Sequence, residues 1–177
     1  MTVIVLYGPK AAGKSQVAAA LRARGVAHVD ADELVLDLLA QGVQPHPQLG
    51  WLSEVETAVA EALREHDAVS VEATGAWDSD WQLAEDFEAQ GQQVLQVLVW
   101  APLEVTLSRL ATRGERRVPI SMDEARSMWL ASSDQASSRH FQLVLDTSQL
   151  EPHDLDHATA PLAALLADER DRPRKDP

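Results

Sequence analysis

The stretch VIVLYGPKAAGKSQVAAAL, residues 3–21, decides the fold. Residues 3–7 are an unbroken apolar run rich in β-branched side chains, the pattern of a strand buried on both faces. The run stops at Gly8, and Gly8-Pro9-Lys10-Ala11-Ala12-Gly13-Lys14-Ser15 fits G-x-x-x-x-G-K-[ST] at every fixed position. Residues 16–21 are good helix formers. Strand, glycine-bounded loop and helix make the setting that a phosphate loop requires. Gly8 and Gly13 allow backbone angles and close approaches that a Cβ would forbid. The amides between them converge on phosphate oxygens, aided by the positive end of the following helix. The expected nucleotide contacts therefore run from Gly8 to Gln16. Lys14, expected to face solvent, reaches the β- and γ-phosphates, and the Ser15 hydroxyl ligates Mg²⁺.

Working outward, short apolar runs alternate with amphipathic ones. Strands are expected at 26–29, 68–71, 94–100 and 141–145. Helices are expected from Leu34, Val35, Leu38 and Leu39, from Leu52, Val55, Val59 and Leu63, over 81–90, and from Pro102 onward. Ser121-Met122-Asp123-Glu124 is a capping-box pattern for a helix through Ser132. Leu155, Ala158, Leu162 and Leu165 form one last helix. The alternation predicts an α/β fold of three layers, with a mostly parallel five-stranded sheet covered on both faces. One domain spans residues 1–167, and residues 168–177 form a charged, frayed tail.

Composition narrows the partners. With 177 residues and 28 acidic against 15 basic side chains, the chain carries a formal charge of −13. That balance disfavours nucleic acid as a main partner. The absence of cysteine excludes disulfides, thiolate catalysis and cysteine-ligated zinc. No apolar run reaches transmembrane length, and the first strand leaves no room for a signal peptide. A cytoplasmic protein without a membrane partner is expected.

In parallel sheets ligands gather at the carboxyl ends of the strands, which turns scattered residues into one candidate site. Asp30 and Asp32 follow the second strand. They are placed near the metal and as base for an acceptor hydroxyl, respectively, with helix capping as the alternative. Glu72 ends the third strand as a metal partner or a rim carboxylate. Thr74 and Gly75 offer donors to a substrate, and Trp77 and Trp81 either wall the pocket or pack. Arg109 and Arg113 share a helix face, and Arg116 and Arg117 follow. Four guanidiniums in nine residues suit a transferring phosphoryl group, with Arg113 and Arg117 favoured.

Taken together, "GPKAAGKS", "VDADEL", "VEATGAW", "VWAPLEVTLSRLATRGERR" and "VLDTSQL" resemble the small P-loop kinases in order and rough spacing. That group includes shikimate and gluconate kinases, chloramphenicol phosphotransferase, zeta-toxin-like kinases, dephospho-CoA kinase and polynucleotide kinase, with an AAA-type ATP-binding domain. The resemblance implies a nucleoside-monophosphate-kinase-like fold with a short lid at about 114–121. It implies metal and acceptor roles for Asp30 and Asp32, a substrate loop at residues 73–76, and lid contacts from Arg113, Arg116 and Arg117. It also implies that Asp146, Thr147 and Ser148 lie near the adenine. Ala76 stands where shikimate kinases carry a second glycine, a departure that argues against shikimate. The expected activity is ATP- and Mg²⁺-dependent phosphoryl transfer to a hydroxyl of a small molecule. Its rivals are a kinase of nucleotide or polynucleotide 5′ ends and a non-transferring ATPase switch that acts on a protein partner.

Overall fold

The computed structural model describes residues 1–47, 49–112, 120–150 and 154–170, the side chains of 168–170 excepted. The elements in chain order are β1 (Thr2–Tyr7), α1 (Lys14–Arg22), β2 (Ala27–Val29), α2 (Ala31–Ala40), α3 (Leu52–Ala62), β3 (Ala68–Ala73), α4 (Asp78–Ala89), β4 (Gln93–Trp100), α5 (Leu103–Ala111), α6 (Met122–Ser137), β5 (Leu143–Asp146), α7 (Leu155–Ala158) and α8 (Ala160–Arg170). Every strand pair is parallel, in the order β2-β3-β1-β4-β5. The expected parallel five-stranded sheet is therefore present.

All six residues of β1 are buried, because the central strand is covered on both sides. Its side chains alternate. Val3, Val5 and Tyr7 enter one core with Leu52, Val55 and Val59 of α3 and Leu83, Ala84 and Phe87 of α4. Ile4 and Leu6 enter the other core, with Val17, Ala18 and Leu21 of α1, Leu155 and Leu162. Helix, sheet and helix give three layers. The register puts Tyr7 opposite both Ala73 and Leu98. The chain therefore leaves β1 at Gly8 beside its departure from β3 at Thr74, and the site forms at that edge.

Several boundaries differ from the sequence reading. β3 runs two residues further, so Glu72 is a strand residue rather than a loop residue. α4 begins at Asp78, and α6 continues past Ser132 to Ser137. The single last helix is two, α7 and α8, broken at Thr159. Pro161 has no N–H to donate to the preceding turn, and the Leu155 carbonyl accepts both the N–H and the hydroxyl of Thr159, at 2.9 and 2.7 Å. α8 carries the chain through Arg170, beyond the expected start of the tail at 168. Residues 171–177 and positions 114–119 of the expected lid lie outside the described residues.

α6 is pinned across the carboxyl ends of the sheet. Trp129 Nε1 donates to the Ala101 carbonyl at 3.0 Å, and the Ser132 hydroxyl donates to the Thr74 carbonyl at 2.8 Å. The Trp100 and Trp129 rings meet at 4.7 Å. No described helix is long and apolar enough to cross a membrane.

Candidate active site

Gly8 opens the phosphate loop with φ +148°, and a Cβ there would stand 2.0 Å from the Val99 carbonyl oxygen. Only glycine lets the loop turn this close to β4. Ala11 adopts φ 62°, an uncommon state for a residue with a Cβ, and Gly13 adopts φ 101°. Gly13 is the N-cap of α1, and no side chain caps that helix. The first amides of α1 are thereby left free of a side-chain cap at the end of the glycine-bounded loop.

Lys14 is not displayed to solvent as expected. It is 6% exposed, and its Nζ donates to the carbonyl oxygens of Gly8 (2.6 Å) and Pro9 (3.1 Å). Burial lowers its pKa to about 8, against the opposing pull of the Glu72 carboxylate, which leaves it charged at neutral pH. The loop is locked from below by Thr147. This buried hydroxyl donates to the Ala12 carbonyl at 2.5 Å and accepts from Arg109 Nη1 at 3.0 Å, while Arg109 Nη2 reaches the Thr147 carbonyl at 2.7 Å.

A cavity of about 660 Å³ opens over this loop. Lys10, Ala11, Gly13, Lys14, Ser15, Gln16 and Arg109 line it, as do Asp32, Glu72, Thr74 and Trp77. Eleven of the residues singled out in the sequence thus meet in one place. Lys10 forms an ion pair with Asp32 across the cavity wall. Gly8, Pro9 and Ala12 build the loop without lining the cavity.

Other residues stand elsewhere. Asp30 does not line the cavity; its carboxylate accepts the Glu33 N–H at 3.1 Å, the capping alternative. Asp146, Thr147 and Ser148 do not line it either. Thr147 is buried in the tie just described, and the Asp146 carboxylate accepts the Ser148 N–H at 2.8 Å, which lowers its pKa. Gly75 lies beneath the cavity with φ +68°, where a Cβ would come within 3.0 Å of the Trp81 ring. Trp81 is a packing residue rather than a wall. It stacks on Tyr7 at 4.1 Å and carries the Arg139 guanidinium at 4.1 Å from its ring centre. Arg113, Arg116 and Arg117 lie outside the described residues.

The sequence reading missed Asp80. Its Oδ2 accepts the Thr74 hydroxyl and the N–H groups of Ala76 (3.1 Å) and Trp77 (3.4 Å). Thr74 was expected to serve a substrate, but its hydroxyl is committed to this carboxylate. Loss of solvent raises the Asp80 pKa, opposed by those three hydrogen bonds. Also missed were Val35, Leu49, Trp51, Leu52, Val55 and Leu83 as cavity walls.

Behind the cavity, His28 Nδ1 donates to the Ser70 carbonyl at 3.1 Å and turns Nε2 toward Glu72 Oε1 at 3.7 Å. Burial lowers the His28 pKa, and neither of those two facing atoms has a hydrogen-bond partner among the described residues. Glu72 lines the cavity and its carboxylate is an oxygen donor of the kind a bound cation takes, while its Oε1 faces His28. No three His, Cys, Asp or Glu side chains cluster as a self-sufficient metal site among the described residues. A cation here would be shared with phosphate oxygens, as Mg²⁺ usually is.

Residues 3–153 match the AAA domain family. Among solved structures, a gluconokinase from Sinorhizobium meliloti 1021 is similar at 19% identity and TM-score 0.62, covering 96% of this chain and 95% of that one. A shikimate kinase from Bacteroides thetaiotaomicron superposes at 17% identity and TM-score 0.64, covering 94% and 98%. The tunicamycin resistance protein of Deinococcus radiodurans does so at 20% identity and TM-score 0.63, covering 92% and 96%. No curated protein sequence matches the chain significantly. With a complete phosphate loop, a parallel sheet in 2-3-1-4-5 order and a family match over residues 3–153, the chain belongs to the AAA domain family and has the fold of the small P-loop kinases.

Proposed function

We infer that the protein transfers the γ-phosphoryl group of ATP to a hydroxyl of a small molecule. The observation that carries this reading is that Lys14, Ser15, Asp32 and Glu72 line one cavity. A phosphate loop and a carboxylate suited to a hydroxyl proton are thereby brought together. In the reaction, the acceptor oxygen bonds to the γ-phosphorus as the bond from phosphorus to the β,γ-bridging oxygen breaks. The hydroxyl proton passes to Asp32, and ADP leaves.

The residues present fit ATP and Mg²⁺. Gly8 and Gly13 shape a cradle that a Cβ at either position would crowd. Lys14, released from the Gly8 and Pro9 carbonyls, would pair with phosphate oxygens, and Arg109 lines the same cavity. The Ser15 hydroxyl and the Glu72 carboxylate would hold the cation, which would supply charge neutralisation when bound. Glu72 replaces Asp30 in that role, because the Asp30 carboxylate is turned to the cap of α2. Lys10 positions the Asp32 carboxylate by its ion pair. Asp32, Glu72 and Asp80 line the cavity and favour a small acceptor over the phosphate backbone of a nucleic acid.

Mixing the protein with Mg·ATP and a panel of sugars, nucleosides, antibiotics and simple alcohols tests the reading. ADP release that requires an acceptor, with a phosphoester product by mass spectrometry, is the expected result. Hydrolysis indifferent to every acceptor would contradict it.

A further inference from the structure

Resting on that transferase reading, we propose that the acceptor is an alcohol carried on an apolar or aromatic body without negative charge. Leu49, Trp51, Leu52, Val55, Trp77 and Leu83, all lining the cavity, select it. The distribution of polarity carries the proposal. The basic lining residues are confined to the phosphate loop, its helix and Arg109. Away from them, Val35 of α2, the segment from Leu49 into α3 as far as Val55, and Trp77 and Leu83 at α4 give a hydrocarbon wall, with Asp32, Glu72, Thr74, Ser79, Asp80 and Thr112 as its polar neighbours.

Burial within that apolar part is graded. Leu52, Val55 and Leu83 are buried and form the inner surface. Leu49 is 43% exposed and Trp77 59% exposed, so two large apolar side chains stand in water at one cavity. Covering them with an apolar ligand removes hydrocarbon surface from water, whereas a hydroxyl set against these two side chains would lose hydration without a new partner.

Charge points the same way. The lining carboxylates are Asp32, Glu72 and Asp80. Each lining cation is already engaged: Lys10 with Asp32, Lys14 with the loop carbonyls, Arg109 with Thr147. Among the described residues, an anionic acceptor therefore meets the carboxylates of Glu72 and Asp80 beside the Lys10–Asp32 pair, and no cation reserved for it. The Thr74 hydroxyl, the obvious donor to a polyol, is held by Asp80. A site that leaves a ligand's polar groups unpaired discriminates strongly against that ligand.

The test uses 4-methylbenzyl alcohol, 4-(hydroxymethyl)benzoate and gluconate. The first two share a ring and a hydroxyl and differ in charge. Calorimetric titration into the full chain without ATP reads binding, and kcat/KM with Mg·ATP reads transfer. The neutral alcohol should bind at least about tenfold more tightly than the benzoate, with gluconate weaker still. Trp77→Ala should weaken the neutral alcohol by about five- to tenfold and Leu49→Ser by less; both positions are exposed, so neither change threatens the fold. Equal or tighter binding of the benzoate or gluconate, or no binding of the neutral alcohol, overturns the proposal. Preferred phosphorylation of gluconate overturns it while leaving the transferase reading intact. Selective binding of the neutral alcohol with no phosphoester from any of the three would instead overturn the transferase reading.

Discussion

The phosphate side of the cavity is held by polar contacts between segments far apart in the chain, whereas the acceptor side is formed by the first turns of helices and carries exposed hydrocarbon. On the phosphate side, Thr147 binds the Ala12 carbonyl, Arg109 binds Thr147, and Gly8 turns against the backbone of β4. On the acceptor side, Leu49 and Trp77 are exposed, and α3 and α4 meet through Val55, Val59, Leu83 and Phe87. The first region is over-determined by backbone geometry and hydrogen bonds. In the second, the exposed Leu49 and Trp77 can change without disturbing the sheet, a freedom that lets one fold accept different ligands.

The comparison can be broken by substitution, and the largest effect belongs to Gly8. Gly8→Ala places a Cβ 2.0 Å from the Val99 oxygen at a φ that L-residues rarely adopt. A loss above about 3 kcal/mol is expected, read by thermal or denaturant unfolding. A variant as stable as the parent would mean that the loop is not fixed against β4. Lys14→Ala comes next. Turnover should fall by about 10²- to 10³-fold with an unchanged circular dichroism spectrum, because the main cation of the phosphate loop is gone. Comparable turnover would remove Lys14 from the mechanism.

Thr147→Val should cost about 1–3 kcal/mol, since the Ala12 carbonyl and Arg109 both lose a partner. It should also weaken nucleotide binding. An equal loss of stability with intact ATP affinity would separate the tie from the loop above it.

The smallest effect sharpens the acceptor side. Burial, and secondarily a hydrogen bond with Asp86, raises the Glu56 pKa from 4.5 to about 7. The folded state then holds a proton that the unfolded chain releases. This contribution is fully present below pH 4.5 and is lost as pH rises through about 7. Glu56→Gln should flatten that decline and match or exceed the parent in melting temperature above pH 7. A parent that gains stability relative to the variant across this window would contradict the assignment.

The two sides also differ in how far the sequence discloses them. The phosphate loop is legible because its chemistry is local: two glycines, a lysine and a serine at fixed spacing have few other uses. The two aspartates after β2 are visible as a pair, but their division of labour depends on where α2 begins. Starting at Ala31, the helix takes Asp30 as its cap and leaves Asp32 for the cavity. Helical periodicity puts Leu52, Val55, Val59 and Leu63 on one stripe, all of them in the core. Only the height of α3 against the strand ends makes Leu52 and Val55 cavity walls as well. Thr74 depends on a helix origin too: Asp80, six residues on, accepts its hydroxyl proton once α4 starts at Asp78. Helix origins, rather than residue types, are what the sequence leaves open.

Transfer of labelled γ-phosphate from ATP to 4-methylbenzyl alcohol by the parent and by Asp32→Asn tests the central claim most directly. The substitution keeps the shape and removes the proton acceptor. The parent should form the labelled phosphoester, and the variant should form it at least about 10²-fold more slowly with nearly unchanged Mg·ATP affinity. Equal transfer by the variant would contradict the role of Asp32. Label appearing only in inorganic phosphate with every alcohol tried, together with tighter binding of a protein partner in ATP, would establish a nucleotide switch instead.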